Sequence, residues 1–285
     1  MSRRQALGLL AGVVGGRLSS VPGQADSRRL SLFTPGRLKQ SVCRWCYDPM
    51  PLEELCRNAA AIGLASVELL DEAEWPVVRR FGLTCAMANG PGSIEDGWNR
   101  PDLHDRLVAG AERLLSLAAA AGVPNLIVFS GNRGGLSDAD GIANCASGLS
   151  RITPVAERVG VTLCLELLNS RVDHRDYQCD HTSWGVEVLK RVGSPRLKLL
   201  YDIYHMQIME GDVIRTIRDN LQHIGHFHTG GVPGRGEIDD SQELNYRRIC
   251  QAIADAGFKG YVGQEFVPTR DPMTSLRQGV EICTV

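Results

Sequence analysis

Four apolar, strand-like runs in the second half of the chain each end on a side chain that can bind a divalent cation. They are LCLE at 163–166, LLYD at 199–202, GHFH at 225–228 and VGQE at 262–265. The terminal residues are Glu166, Asp202, His228 and Glu265. Three carboxylates and one imidazole form an oxygen-rich donor set, which suits Mg²⁺ or Mn²⁺ better than a structural zinc. Three neighbouring carboxylates at strand ends would repel one another without a cation between them, and burying them unpaired is costly. Alternation along each strand is consistent with such a site. Thr162, Cys164 and Glu166 share one face and Leu163, Leu165 and Leu167 the other. Ile224, His226 and His228 form a second such set, and Tyr261, Gly263 and Glu265 a third.

Such residues meet only if their strands run parallel and are joined by helices. From Leu38 onward, short apolar runs alternate with longer amphipathic patterns. The runs at 40–44, 66–70, 84–87, 125–129, 162–167, 197–201, 224–228 and 260–266 predict eight strands. Apolar residues recurring every three or four positions predict helices at 51–62, 102–121, 139–159, 182–192, 212–220 and 245–256. Glycine marks many helix-to-strand turns, as at Gly122 and Gly193. This α/β alternation predicts a single (β/α)8 TIM barrel over residues 36–285, whose strand C-termini converge on one catalytic face. An open doubly wound sheet is the competing arrangement, but no glycine-rich phosphate loop follows the first strand. Two long loops, at 89–100 and 169–181, are expected over that face.

The 285 residues are enough for one barrel of about 250 residues. Net charge is -2 and no basic stripe appears, so a nucleic-acid partner is not expected. No stable membrane association is expected either. Homo-oligomerisation is left open. The first residues differ in kind. Ser2-Arg3-Arg4 precedes an apolar, glycine-rich run at 6–16. That pattern predicts a twin-arginine export signal and linker over 1–35, hence a periplasmic location; without it the location would be cytoplasmic. Nine cysteines are scattered along the chain, and Cys43-Arg44-Trp45-Cys46 has the spacing of a redox pair. It ends a strand rather than opening a helix, so buried small hydrophobes are the favoured reading.

Several other side chains are candidates for the site. Glu68 is expected either behind the ligands or in a rim salt bridge. His226 is expected as a satisfied interior histidine. His174 and His181 are loop residues that could line the cleft, and Trp45 and Trp98 could shape it. Lys198 is expected in a core ion pair.

The segment LLYDIYHMQIMEGD at 199–212 closely resembles the sixth-strand region of hydroxypyruvate isomerases. These belong to the xylose-isomerase-like barrel superfamily, which also contains ketose 3-epimerases. Supporting segments are LELLN at 165–169, VGSP at 192–195, IGH at 224–226, PGR at 233–235 and GYVGQE at 260–265. The resemblance implies metal ligands at Glu166, Asp202, His228 and Glu265. It implies acid/base roles for Glu166 and Glu265, and substrate-binding roles for His205 and Arg235. The substrate class it implies is a small sugar or a hydroxy-keto acid. The implied reaction is an aldose–ketose isomerisation through an enediolate, assisted by the metal as a Lewis acid. Where hydroxypyruvate isomerases carry glutamine this chain has His228, as the epimerases do. An epimerase or dehydratase on the same metal therefore stands beside the isomerase. A non-catalytic sugar-binding barrel would not need two facing glutamates. A DNA phosphodiesterase would need more histidine ligands and a basic face.

Overall fold

A computed structural model of the chain describes residues 36–285; the predicted export signal and linker at 1–35 lie outside them. The elements are β1 (Lys39–Cys43), α1 (Leu52–Ala61), β2 (Ser66–Glu68), α2 (Trp75–Arg80) and α3 (His104–Ala121). Then come β3 (Asn125–Val128), α4 (Asp138–Ser150), α5 (Thr153–Val159), β4 (Thr162–Glu166) and α6 (Thr182–Val192). They continue with β5 (Leu197–Asp202), α7 (Ile203–Met209), α8 (Val213–Asn220), β6 (Ile224–Thr229), α9 (Tyr246–Asp255), β7 (Tyr261–Gln264) and α10 (Pro272–Cys283). The seven strands form one parallel sheet in the order β2-β1-β7-β6-β5-β4-β3. The last strand, β7, pairs with the first, β1, so the sheet curls back on itself with helices outside. This is a TIM-barrel-like fold.

The run at 84–87, predicted as a strand, is not one. Single bridges join Thr84 to Ser66, and Ala88 to both Leu70 and Leu126. The reason lies at Ala86, whose backbone is taken by side chains. Its N–H donates to Ser66 Oγ at 2.8 Å, and its C=O accepts from Asn125 Nδ2 at 2.7 Å. Polar side chains thus compete with the ladder for its backbone groups.

Two other expectations are corrected. The helix predicted at 139–159 is two helices, α4 and α5. Pro154 sits in the first turn of α5, where its missing N–H does no harm, but it cannot donate to the Ser150 carbonyl, so α4 does not run on through it. Ile224 does not share the inner face with His226. The pairing of β5 with β6 slips between Leu199 and Leu200, so Leu199 faces Ile224 and Leu200 faces His226. Gly225 takes up the extra residue as a bulge. A Cβ there would meet Lys198 Cβ at 2.9 Å, so only glycine fits without displacement.

The core has two parts. Leu163, Leu165, Leu199, Ile224 and Phe227 belong to the large cluster packed beneath the helices. Met87, Ile127, Cys164 and Leu200 form a small cluster inside the curled sheet. Alternation along β4 therefore places Leu163 and Leu165 outside, and Cys164 and Glu166 inside. Gly122 and Gly193 close α3 and α6 in left-handed backbone, with φ of 71° and 72°. All nine cysteines are free and buried, Cys43 and Cys46 included. Burial pushes the Cys43 and Cys46 thiols well above their ordinary range, the opposite of a reactive redox pair.

Candidate active site

Glu166 ends β4, Asp202 ends β5, His228 is the penultimate residue of β6 and Glu265 follows β7 directly. All four are buried, and one ligand atom from each lies within 4.8 Å of the others. His228 Nδ1 is 2.6 Å from Glu265 Oε2 and 3.3 Å from Glu166 Oε1. Despite that closeness, Nδ1 makes no well-aligned hydrogen bond. Four buried ligand atoms gathered this closely fit a cation between them. The donor set, three carboxylates and an imidazole, suits Mg²⁺ or Mn²⁺.

Asp202 and Glu265 are each held by further partners. Asp202 also caps α7, its Oδ1 accepting the His205 N–H at 3.1 Å. That cap places His205 three residues on, beside the ligands. Trp45 Nε1 donates to Glu265 Oε1 at 2.8 Å. Arg235 Nη2 donates to Asp202 Oδ2 at 2.8 Å and to Glu265 Oε2. The guanidinium lies 4.9 Å from the Tyr204 ring centroid and 5.8 Å from that of Trp45. Arg235 itself is in left-handed backbone, φ 57°. Strain of this kind persists where the surroundings over-determine it. Here the three ionic and hydrogen-bonded partners of its side chain do so.

The Asn169 amide is fixed by its own network. Its Oδ1 accepts from the backbone N–H of Val172 and of Asp173, both at 2.9 Å. Its Nδ2 therefore faces Asp173 Oδ2 at 2.7 Å and His205 Nδ1 at 2.6 Å. With Nδ1 accepting, the neutral His205 ring carries its proton on Nε2. Burial holds the His205 pKa well below the ordinary imidazole range, so the ring is neutral. Arg235 Nη1 is 2.9 Å from that same Nε2. Both ring nitrogens of His205 thus face donors, Asn169 Nδ2 and Arg235 Nη1, so a ring with its one proton on Nε2 leaves the Arg235 contact as the weaker of the two.

These groups open on a cavity of about 550 Å³. Its lining combines polar groups, among them Glu166, Glu265, His205 and Arg235, with apolar ones such as Leu69, Ile94, Ile127 and Phe129. The loops at 89–100 and 169–181 both contribute to this lining. Trp45 lines the cavity, whereas Trp98 is fully buried against His104 and does not. His174 lines it, while His181 pairs with Asp180 at 2.7 Å, away from the lining. Among the described residues Lys198 makes no ion pair; its Nζ donates to the Gln222 carbonyl at 2.7 Å. Glu68 is not at the rim but fully buried, bonded to both His226 and His228. Asn169 and the Trp45 indole N–H are site groups without a local sequence signature, since their partners lie far along the chain.

The two glutamates differ in proton affinity. Burial raises the Glu166 pKa to about 7, against its His228 contact and with the Glu265 charge. Burial also opposes ionisation of Glu265, but His228 and Arg235 outweigh it and bring the pKa to about 2. Burial disfavours the His228 imidazolium, yet Cys43 and Glu265 hold its pKa well above the usual range. In the metal-free site Arg235 and a protonated His228 therefore balance the ionised Glu265 and the buried Glu68 behind His228, with Glu166 neutral near pH 6. A divalent cation must displace the Nδ1 proton, and below about pH 7 the Glu166 proton as well.

Two results are expected. Mn²⁺ titration in weak buffer releases protons, more at about pH 6 than at about pH 8, and affinity rises as pH rises through about 7. In the metal-free protein the Glu166 contribution to stability is fully present below about pH 4 and is lost as pH rises to about 7. Mn²⁺ uptake with no proton release at either pH would contradict this balance.

A family model described as the xylose isomerase-like TIM barrel matches residues 56–284. A Homo sapiens protein named "Putative hydroxypyruvate isomerase" is 32% identical over 238 residues, covering 77% of this chain and 85% of that protein. A 2-oxo-tetronate isomerase of Cupriavidus necator is 38% identical over 109 residues, covering 38% of this chain and 41% of that one. The crystal structure of a family 2 AP endonuclease from Brucella melitensis has the same fold. Its TM-score is 0.78 at 24% identity, over 86% of this chain and 99% of that one. On these matches the chain belongs to the xylose isomerase-like TIM barrel family, and within it to the isomerases.

Proposed function

We propose that the chain is a metal-dependent isomerase of the hydroxypyruvate isomerase type, acting on a short sugar or hydroxy-keto acid. The observation that carries this reading is the pair Glu166 and Glu265. They face one cavity, share one ligand group and hold protons with opposite affinity. The fold reading that accompanies it is a complete eight-stranded barrel, with 84–88 as a degenerate third strand.

Glu166, Asp202, His228 and Glu265 would hold Mg²⁺ or Mn²⁺. A bound ion would supply Lewis-acid chemistry there, drawing charge from a carbonyl oxygen and offsetting the negative charge that develops when a neighbouring carbon loses its proton. The residues of the chain do the rest. One glutamate removes the carbon-bound proton and the other returns it to the adjacent carbon. His205 and Arg235, side by side in the cavity lining, would meet a substrate oxygen. Arg235 brings a guanidinium to the lining and would pair with a substrate carboxylate. The apolar part of the lining would keep water from the reacting carbons.

The test is proton exchange from D₂O into a panel containing hydroxypyruvate and 2-oxo-tetronate, with Mn²⁺ or Mg²⁺ and with chelator. Exchange at a carbon next to the carbonyl, abolished by chelation, is expected. No exchange with any member would overturn the reading. His228 favours a second reading, a ketose 3-epimerase. In that case ketoses would exchange at C3 and invert there, with the carbonyl staying in place.

A further inference from the structure

Beneath the four-ligand group, three donors converge on one carboxylate oxygen. Glu68 ends β2, and two strands, β1 and β7, separate it from β6 in the sheet. Its Oε1 nonetheless accepts from His228 Nε2 at 2.8 Å and from His226 Nε2 at 2.8 Å. The Cys43 thiol donates to the same oxygen at 3.6 Å. All four residues are fully buried. The contact across the barrel needs an opening in β7, and Gly263 supplies it. A Cβ on Gly263 would lie 2.4 Å from Glu68 Oε1 and 2.8 Å from His228 Cδ2.

A carboxylate oxygen can only accept, so an imidazole nitrogen bonded to it must carry a hydrogen. A neutral imidazole has one N–H. With that hydrogen on Nε2, the lone pair falls on Nδ1, the atom that faces Glu265 and Glu166. We propose that Glu68 is a positioning residue, which fixes the ring plane and tautomer of His228 so that Nδ1 serves as the metal ligand. His226 shares the carboxylate but not the role. Its ring stacks on Tyr261 with centroids 6.4 Å apart, and it is not among the four converging ligands. This inference rests on the metal site proposed above.

The test uses the full chain stripped of metal and titrated with Mn²⁺, free ion being read by its magnetic-resonance signal. Glu68→Gln keeps the shape but replaces the anionic acceptor, and is expected to weaken Mn²⁺ binding about ten- to a hundredfold. His226→Asn removes the neighbouring donor and is expected to bind Mn²⁺ as the wild type does. Equal affinity in Glu68→Gln and wild type overturns the role of Glu68. So does an equal loss in both variants, which would mark a general loss of structure. Loss of a second equivalent of ion, with the first kept, would make Glu68 a ligand instead and also overturn it. Wild type that takes up no Mn²⁺ removes the metal reading itself, a separate result. Should Glu68→Gln fail to fold, ¹⁵N spectra of Mg²⁺-loaded wild type decide. A proton on His228 Nε2 is required, and a proton on Nδ1 overturns the proposal.

Discussion

Glu265→Gln is expected to lower turnover on the true substrate at least about a hundredfold, because general acid–base assistance contributes roughly 10²–10⁴-fold. The amide keeps the size of the side chain and an oxygen that can still accept from Trp45 Nε1. It removes the proton acceptor, and a weakened ligand set can only add to the loss. Glu166→Gln is expected to fall by a similar factor for the complementary reason. Both variants should still bind a substrate-like ligand, since His205 and Arg235 are untouched. Steady-state kinetics beside ligand titration check this. Near wild-type turnover in Glu265→Gln would end the two-glutamate mechanism, while the fold and the ligand cluster would stand.

Arg235→Ala is expected to separate two roles of one side chain. In the metal-free protein the guanidinium is the direct partner of Asp202 and Glu265, which are 0% and 5% exposed. Removing one partner of a buried ion pair typically destabilises by about 3–5 kcal/mol. The variant should therefore melt well below wild type in chelator. Saturating Mn²⁺ should close most of that gap, because the ion supplies the missing positive charge. Binding of carboxylate-bearing ligands should remain weak even then. A melting deficit that is the same with and without Mn²⁺ would mean that Arg235 does not stand in for the cation.

The ligand quartet is legible in the sequence because each member ends an apolar run, and strand alternation is local. The same logic fails at Ile224. The bulge at Gly225 answers to Lys198 and Cys164 on other strands, which no local pattern reports. The split between α4 and α5 has a local mark, Pro154, that outweighs the apolar periodicity running through it. The supports of the site are a different matter. Trp45 reaches Glu265 across 220 residues of chain, and Glu68 reaches His228 across 160. Nothing near Glu68 in the sequence announces that contact, so a rim ion pair is as good a reading until the sheet is folded.

The backbone of Ala86 is bonded by the side chains of Ser66 and Asn125 where a neighbouring strand would normally serve. An ordinary sheet is proof against point mutation in this respect, since every replacement residue brings its own C=O and, proline aside, its own N–H. Here the continuity of the wall is written in two genetic codons. Ser66→Ala or Asn125→Leu would strand a buried polar group, a loss of roughly 1–3 kcal/mol. Two polar residues, outwardly the most replaceable in their strands, are thus as constrained as any leucine of the core.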